Sequence, residues 1–204
     1  MKKLKDDGYE VVTLHEAFPY QQDAFEAIKD LEYAAIFHEQ GLGKTKIAID
    51  LMSYWLAEKE IDTVLVITKK ILINNWEKEL RFHTGITPAI LTSNAVNNYY
   101  VFTSTAKIIV LNFETVISEI SRLELFLKSR EVAVVIDESA KLKNPETKIC
   151  QAMFKLKDLF KIKVIMSGTP IANRPFDIWS QIYFLDSGAS LGSDFNVFKE
   201  NTNL

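Results

Sequence analysis

The stretch His38-Glu39-Gln40-Gly41-Leu42-Gly43-Lys44-Thr45 lies between the apolar run at residues 34–37 and an amphipathic segment that begins at residue 46. This order of strand, glycine-rich turn and helix is typical of a phosphate-binding site. Two glycines let consecutive backbone N–H groups point inward, and the start of the helix adds partial positive charge. The stretch therefore predicts a nucleoside triphosphate site formed by Gly41, Leu42, Gly43, Lys44 and Thr45.

Lys44 and Thr45 have different expected roles at this site. The ammonium group of Lys44 is expected to reach the β- and γ-phosphates, and the hydroxyl of Thr45 is expected to ligate magnesium. His38 stands where the full pattern has a glycine, so the match is to the shorter form Gly-x-Gly-Lys-Thr. The interpretation therefore needs a partner motif elsewhere in the chain.

The acidic pair Asp137-Glu138 supplies that partner motif. It follows the apolar run at residues 132–136, which is typical of a strand buried on both faces of a sheet. Ligands of open α/β sheets sit at the carboxyl ends of the strands. We therefore expect Asp137 to hold magnesium through water and Glu138 to orient and deprotonate the attacking water. Together with Lys44, these two carboxylates are the predicted catalytic residues.

Composition limits the class of protein. The 204 residues, 48% hydrophobic and 25% charged, suffice for one globular domain with a full core. The formal charge of −3 gives no overall nucleic-acid signature, so any contact with DNA must come from a local patch. The single cysteine favours a reducing compartment. A start without an apolar leader predicts no secretion, and the lack of an apolar run near ~18 residues predicts no membrane span. We expect a cytoplasmic protein in a bacterial or viral setting and a nuclear one in a eukaryote.

Strand and helix patterns alternate along the chain, which predicts an α/β fold with a mostly parallel central sheet and helices on both faces. Trp76 repeats the spacing of Leu72 and Leu80, so it is predicted to pack in the core rather than stack on a base. Residues 187–204 lose periodicity. Buried strands are predicted at residues 34–37, 63–67, 107–111, 132–136 and 162–166, a helix at residues 21–31, and a polar loop at residues 87–106 with a short strand at residues 89–91.

Six blocks of the sequence resemble, in order, the motifs of the Swi/Snf-type DNA translocase family, a branch of the superfamily-two helicases. Residues 39–45 resemble motif I, and residues 137–144, Asp-Glu-Ser-Ala-Lys-Leu-Lys-Asn, resemble motif II. Pro19-Tyr20-Gln21 is similar to the Q motif, residues 73–80 to motif Ia, and residues 111–115 to motif Ib. Residues 167–173, with Trp179 and Phe184-Leu185-Asp186, are similar to motif III and its flank. The resemblance covers nearly the whole chain. It implies that residues 1–204 form the first, ATP-binding RecA-like lobe of such an enzyme, with ATP and magnesium as ligands.

The resemblance also implies roles outside the phosphate loop. Gln21 is expected to read the adenine edge through its amide. Ser167 and Thr169 are expected to report loss of the γ-phosphate to the DNA side, with a plain Gly-Thr-Pro turn as the alternative. Contacts with the phosphates of double-stranded DNA are expected from residues that follow strand ends or motifs, namely Lys69, Lys70, Asn75, Asn112, Lys141, Lys143 and Asn173.

The chain also departs from the family pattern. Ala140 stands where the family often has a histidine that helps link the nucleotide site to motif III, and Lys69 stands where motif Ia often has a proline. The family has two lobes, whereas this sequence is expected to hold only the first, with residues 187–204 starting a connection to the second. The isolated lobe is expected to be monomeric. Because the second lobe would supply an arginine finger, the isolated lobe is also expected to bind nucleotide weakly and to hydrolyse it very slowly.

Two alternatives stay open at this point. One is a lobe of another superfamily-two helicase or restriction-type translocase, which the same motifs would serve. The other is a nucleotide-binding interaction module without motor function, which the acidic overall charge favours.

Overall fold

A parallel β-sheet forms the centre of the computed structural model, which describes residues 13–39, 41, 43–171 and 174–202. The strands are Tyr33–Ile36 (β1), Thr63–Thr68 (β2), Ala89–Ile90 (β3), Ile108–Asn112 (β4), Val132–Asp137 (β5) and Ile162–Met166 (β6). Their order across the sheet is β1-β6-β5-β2-β4-β3, and every neighbouring pair is parallel. The predicted strands are confirmed, and the predicted mostly parallel sheet is parallel throughout the described residues.

The central strands are buried on both faces, which explains their continuous apolar sequences. In β2, Val64 and Val66 belong to one apolar cluster, and Leu65 and Ile67 belong to the cluster on the other face. Successive side chains of a strand point to opposite faces, so a strand covered on both sides needs apolar residues at odd and even positions. Period-2 alternation would have marked a sheet with one solvated face.

Helices cover both faces of the sheet, as predicted. They are Pro19–Ile28 (α1), Lys44–Glu58 (α2), Ile73–Thr84 (α3), Ala95–Thr103 (α4), Phe113–Ser118 (α5), Ile120–Ser129 (α6), Lys148–Leu156 (α7), Trp179–Asp186 (α8) and Phe195–Thr202 (α9). Helices α1 to α3 contribute to the apolar cluster on one face, and α5 to α8 to the cluster on the other. In the part of the chain that the structure describes, no helix is both long and apolar enough to cross a membrane.

The prediction that residues 87–106 form a loop is wrong, because α4 lies within that range. Asn94 caps the helix, its side chain accepting hydrogen bonds from two backbone N–H groups of the first turn. Asn98 is fully buried, and its amide bonds to the backbone of Thr92 and to the carboxylate of Glu119. These tertiary hydrogen bonds stabilise a helix whose sequence carries little amphipathic signal.

Two further boundaries differ from the prediction. Helix α1 begins before the predicted start at residue 21 and ends before the predicted end at residue 31, with Pro19 at its first position, where proline is favoured. Residues 187–204, predicted to lose periodicity, contain α9, whose Phe195 ring lies 5.4 Å from that of Trp179. Packing against α8, rather than a strong sequence pattern, explains this helix.

Candidate nucleotide and nucleic-acid site

The carboxyl edge of the sheet brings together three segments that are distant in the sequence. Strand β6 lies between β1 and β5, and Met166 pairs with Ile36 on one side and with Asp137 on the other. The phosphate loop, residues 167–171 and the acidic pair therefore leave the sheet side by side. Because neighbouring strands lie ~4.8 Å apart, β1 and β5 are about 10 Å apart, close enough for one ligand to contact both segments.

The phosphate loop has a backbone conformation that favours glycine. Gly41 and Gly43 have φ values of +85° and +68°, in the left-handed region. Gly43 is also the N-cap of α2, and a Cβ atom there would lie 2.1 Å from Nε2 of Gln21. The loop thus turns tightly into a helix N-terminus, where backbone N–H groups can bind phosphate. Leu42, also predicted to bind nucleotide, lies outside the described residues.

Lys44 and Thr45 occupy the first turn of α2 and are both partly buried. The ammonium group of Lys44 donates hydrogen bonds to the backbone carbonyls of His38 and Glu39, at 2.8 and 3.0 Å. The cation therefore lies against the loop that precedes it, at the helix end whose dipole favours anions. A phosphate oxygen would be a stronger acceptor for this ammonium group than a neutral carbonyl.

Gln21 connects α1 to the phosphate loop. Its side chain is 4% exposed, and its Nε2 donates to the carbonyl of Gly43 at 3.3 Å. Its Oε1 accepts from the backbone N–H of Phe18 at 2.9 Å. These contacts fix the amide beside the loop, and its reading of adenine stays a prediction.

The carboxylate of Asp137 is held by donors from two other elements. Its Oδ2 accepts a hydrogen bond from Nε1 of Trp76 at 2.9 Å and one from Oγ1 of Thr68 at 3.3 Å. The pKa of Asp137 is raised above its usual range, chiefly by burial; the bond from Trp76 opposes this rise, and the charge of Glu138 adds to it. A cation at this position would favour the ionised carboxylate instead.

Trp76 and Thr68 are functional contacts that the sequence did not predict. The burial predicted for Trp76 is confirmed, because its side chain is 1% exposed. Its second role depends on the direction of the indole N–H toward Asp137, which lies 61 residues further along the chain. Hydrophobic spacing identifies the buried ring but carries no information about that partner.

Glu138 marks a sharp change of chain direction after β5. Its backbone lies in the left-handed region, with φ of 58° and ψ of 48°, which is uncommon for glutamate. Its Oε2 accepts from the ammonium group of Lys69 at 3.3 Å. Lys69, predicted to contact DNA, therefore also faces the predicted catalytic carboxylate.

The segment after β6 forms a local turn. Ser167 is fully buried, and its backbone N–H donates to the carbonyl of Ile36 at 3.2 Å. Its Oγ accepts from the backbone N–H of Thr169 at 3.1 Å, and the side chain of Thr169 is exposed. The turn proposed for this segment is thus present, and the coupling role of Ser167 and Thr169 stays a prediction.

Those residues predicted to contact DNA that the structure describes lie at the same edge of the sheet but differ in exposure. Lys69 and Lys70 follow β2, Asn75 lies in the first turn of α3, and Lys141 follows β5. These four are exposed, whereas Lys143 is partly buried. Strands β5 and β2 are neighbours, so Lys69 and Lys70 adjoin the acidic pair on the side away from the phosphate loop.

Asn112 has a structural role that the prediction did not include. Its side chain is 8% exposed, and its Oδ1 accepts from the backbone N–H and the hydroxyl of Thr115, at 2.8 and 3.0 Å. Asn112 thereby caps α5, which leaves only its amide nitrogen for the predicted DNA contact. Asn173, the last of the predicted DNA contacts, lies outside the described residues.

The donor set at this edge fits magnesium together with a phosphate ligand. Among the described residues there is no cluster of three or more His, Cys, Asp or Glu side chains placed to hold a metal ion. Magnesium in nucleotide sites is typically held by one or two carboxylates together with phosphate oxygens and water. Asp137 and the hydroxyl of Thr45 supply oxygen ligands of that kind.

The chain is similar to known proteins in sequence and in structure. The sequence model of the SNF2-related domain matches residues 28–204. A "SWI/SNF-related matrix-associated actin-dependent regulator of chromatin subfamily A-like protein 1" from Drosophila melanogaster is 30% identical, over 82% of this chain and 22% of its own length. An "Uncharacterized ATP-dependent helicase" from Mycoplasma pneumoniae is 29% identical, over 91% of this chain and 19% of its own length. The chain thus spans about a fifth of these relatives.

A solved structure is similar over nearly the whole chain. It is described as "Sulfolobus solfataricus SWI2/SNF2 ATPase core in complex with dsDNA", and it matches with a TM-score of 0.77 and 27% identity. The match covers 94% of this chain and 40% of the other. The predicted RecA-like fold is thereby confirmed.

Proposed function

Because the chain belongs to the SNF2-related domain family, we propose that it is the ATP-binding lobe of a DNA-dependent ATPase that moves along double-stranded DNA. The observation that carries the proposal is the shared sheet edge, where the phosphate loop and the acidic pair flank the segment after β6. A nucleotide held by the loop would lie within reach of the acidic pair. The lysines after β5 and β2 extend the same edge toward a second, polyanionic ligand.

The phosphate loop and the start of α2 bind the triphosphate in this proposal. Backbone N–H groups around Gly41 and Gly43 surround the phosphates, and the helix N-terminus favours their negative charge. Lys44 exchanges its two carbonyl partners for oxygens of the β- and γ-phosphates, which carry full negative charge.

The acidic pair supplies the groups that act on the γ-phosphate. Magnesium, when bound, neutralises charge on the phosphate oxygens. Asp137 and Thr45 hold it, and Trp76 keeps the carboxylate of Asp137 in place. Glu138 orients the attacking water and accepts its proton.

The lysines at the edge contact the phosphates of DNA in this proposal. Phosphate contacts carry no sequence information, as a motor that steps along any sequence requires. Four lysines in the segments after β2 and β5 provide local positive charge on a chain whose formal net charge is −3. The similar Sulfolobus core was solved in complex with double-stranded DNA, which supports the same partner for this chain.

In this proposal, the complete enzyme closes a second lobe over the nucleotide. The chain spans 40% of the similar Sulfolobus ATPase core, which supports a further lobe in the complete enzyme. Charge that develops in the transition state is neutralised by an arginine from that lobe, and such arginines contribute on the order of 10³ to 10⁵ in rate. We therefore expect the 204-residue chain alone to hydrolyse ATP very slowly.

Nucleotide binding is tested by titrating a fluorescent ATP analogue with and without magnesium. Lys44→Ala is expected to abolish binding and to leave the denaturation midpoint nearly unchanged, because Lys44 is partly buried and its partners among the described residues are two loop carbonyls. Lys161→Ala is the matched control, since Lys161 is exposed and precedes β6 at the opposite edge of the sheet. Equal affinities for wild type and Lys44→Ala would contradict the phosphate-loop assignment.

DNA binding is tested by fluorescence anisotropy with a labelled duplex over a series of salt concentrations. The double variant Lys70→Ala/Lys141→Ala is expected to weaken binding and to lower the slope of log affinity against log salt by about two. The control Lys128→Ala/Lys161→Ala removes the same charge from exposed positions outside the proposed row. Equal slopes for the two double variants would exclude this DNA surface, and an absence of duplex binding would favour an interaction module without motor function.

A further inference from the structure

Gln181, on α8, joins the segments that follow β5 and β6. Its side chain is fully buried, and its Oε1 accepts a hydrogen bond from the hydroxyl of Ser139 at 2.7 Å. Its Nε2 donates to the backbone carbonyl of Pro170 at 2.7 Å and to that of Asp177 at 3.1 Å. Both amide N–H groups and the amide oxygen therefore have partners inside the protein.

The two segments joined by Gln181 belong to the candidate site. Ser139 directly follows Glu138, and Pro170 directly follows Thr169. The side-chain amide of Gln181 connects Ser139 to Pro170, because it bonds to both residues. The bonds to Ser139 and Pro170 span 42 and 11 residues of sequence, so they hold separate segments together rather than a single turn.

A buried and fully bonded amide transmits displacement more effectively than an exposed one. If either segment moved alone, a buried donor or acceptor would lose its partner, and water could not replace that partner. Movement of Ser139 with Glu138 would therefore draw Gln181 along, and Gln181 would draw the carbonyl of Pro170. Ala140, the next residue, has no polar side chain that could provide a second connection of this kind.

We propose that Gln181 is a positioning residue that couples the acidic pair to residues 167–171 when nucleotide binds. The inference rests on the proposed nucleotide binding and assigns one residue to the coupling. Gln181 contacts neither nucleotide nor DNA in this proposal. It acts through Ser139 at one end and through Pro170 at the other.

Hydrogen exchange measured by mass spectrometry tests the coupling on the 204-residue chain, with and without magnesium and ATPγS at saturating concentration. In wild type, nucleotide is expected to slow exchange in the phosphate loop and in residues 167–171. In Gln181→Leu, which keeps a similar side-chain volume, the slowing is expected to persist in the loop and to be lost in residues 167–171. The dissociation constant for the nucleotide is expected to stay within about twofold.

Two further variants separate coupling from general destabilisation. Asn98→Leu removes another fully buried amide with three hydrogen bonds, beside β3 at the edge of the sheet, and is expected to keep both slowed regions. Ser139→Ala removes one bond of the connection and is expected to lose the slowed exchange in residues 167–171 as well. It therefore tests the coupling even if Gln181→Leu does not fold.

The outcomes separate the inference from the proposed function. Slowed exchange in residues 167–171 that survives in both Gln181→Leu and Ser139→Ala would overturn the coupling role alone. The same holds if wild type shows slowing in the loop but none in residues 167–171. An absence of slowing in the loop of wild type would overturn nucleotide binding, and the inference with it.

Discussion

Replacing Trp76 by phenylalanine is expected to change how the candidate metal site responds to pH. The indole ring is buried beneath the sheet edge, and its N–H donates to Oδ2 of Asp137 at 2.9 Å. Phenylalanine keeps most of the apolar volume and removes the donor together with part of the indole ring. The variant therefore isolates the hydrogen bond from the packing of the ring as far as one substitution can.

The expected free-energy contribution of the bond between Trp76 and Asp137 follows from the type of hydrogen bond. A bond to a charged group typically contributes about 1.5–3 kcal/mol, which corresponds to roughly a tenfold to hundredfold change in an equilibrium constant. The second donor, the hydroxyl of Thr68 at 3.3 Å, is longer and does not replace the first. A double-mutant cycle between Trp76→Phe and Asp137→Ala, measured by chemical denaturation, is expected to give a coupling energy in that range.

The sign of the pH effect follows from the pKa of Asp137. The bond from Trp76 lowers that pKa against the effect of burial, so its loss raises the pKa further. Because the ionised carboxylate is the form that holds a cation, protonation competes with magnesium. Magnesium-dependent nucleotide binding is therefore expected to weaken as the pH falls, and the midpoint pH of this loss is expected to be higher in Trp76→Phe than in wild type.

Trp55→Phe serves as the matched control for this experiment. Trp55 is also fully buried in the same apolar cluster, but its N–H donates to the neutral backbone carbonyl of Lys29 at 3.3 Å. It is expected to lower stability without moving the pH midpoint. The predicted role of the Trp76 hydrogen bond is wrong if both variants share one midpoint pH for nucleotide binding, or if the coupling energy lies within about 0.5 kcal/mol of zero.

Three further substitutions test other parts of the site. Asp137→Asn is expected to abolish magnesium-dependent nucleotide binding yet to raise the free energy of unfolding at pH 7.5 by roughly 0.5–2 kcal/mol. Because the pKa of Asp137 is raised in the folded state, this gain in stability should be absent below the ordinary carboxyl pKa and appear as the pH rises through the folded-state pKa. Gly43→Ala is expected to destabilise the fold and abolish nucleotide binding, whereas Gly85→Ala, with a similar φ of +71° against +68° but nothing within 4 Å of the added atom, is expected to cost only about 1–2 kcal/mol in unfolding measurements. Lys69→Met is expected to change stability by less than ~1 kcal/mol, because its ion pair is exposed, and to lower the salt slope of duplex binding by about one.

The sheet was predictable because its central strands are covered on both faces. Each of these strands is a short continuous apolar run, and such runs followed by polar or glycine-rich segments have few other interpretations in a chain of this composition. The strand order was not predictable in this way. Parallel pairing with helical crossovers is compatible with several orders, and the insertion of β6 between β1 and β5 depends on packing across the whole domain.

Helix α4 shows where sequence patterns carried too little information. Its residues include Asn97 and Asn98, a residue type that disfavours helix interiors, and its stabilising contacts lie elsewhere in the chain. Asn98 is stabilised by Glu119, which lies 21 residues further along. A pattern that considers only neighbouring residues cannot include such a contact.

The residues of the candidate site also fall into a predictable and an unpredictable group. Lys44, Thr45 and Asp137 were identifiable because their motifs are local, with each functional residue beside a strand end or glycine turn. Trp76 and Gln181 were not, because the sequence around each side chain indicates only packing and carries no information about the partners of its polar atoms. Their partners were found only when the fold placed them beside residues from distant segments.

The strand order also constrains how a nucleotide could influence bound DNA. Residues 167–171 leave the sheet between the phosphate loop and the acidic pair, and the lysines after β2 lie beyond β5. On the proposed function, a signal that passes along this edge from nucleotide to DNA crosses the segment after β5. Glu138 is in that segment and bonds to Lys69 of the neighbouring strand end, while Ser139 bonds to Gln181 on the opposite side. The acidic pair would then be the point where hydrolysis and DNA contact meet, so the loss of either bond should weaken the dependence of ATP turnover on DNA in the complete enzyme.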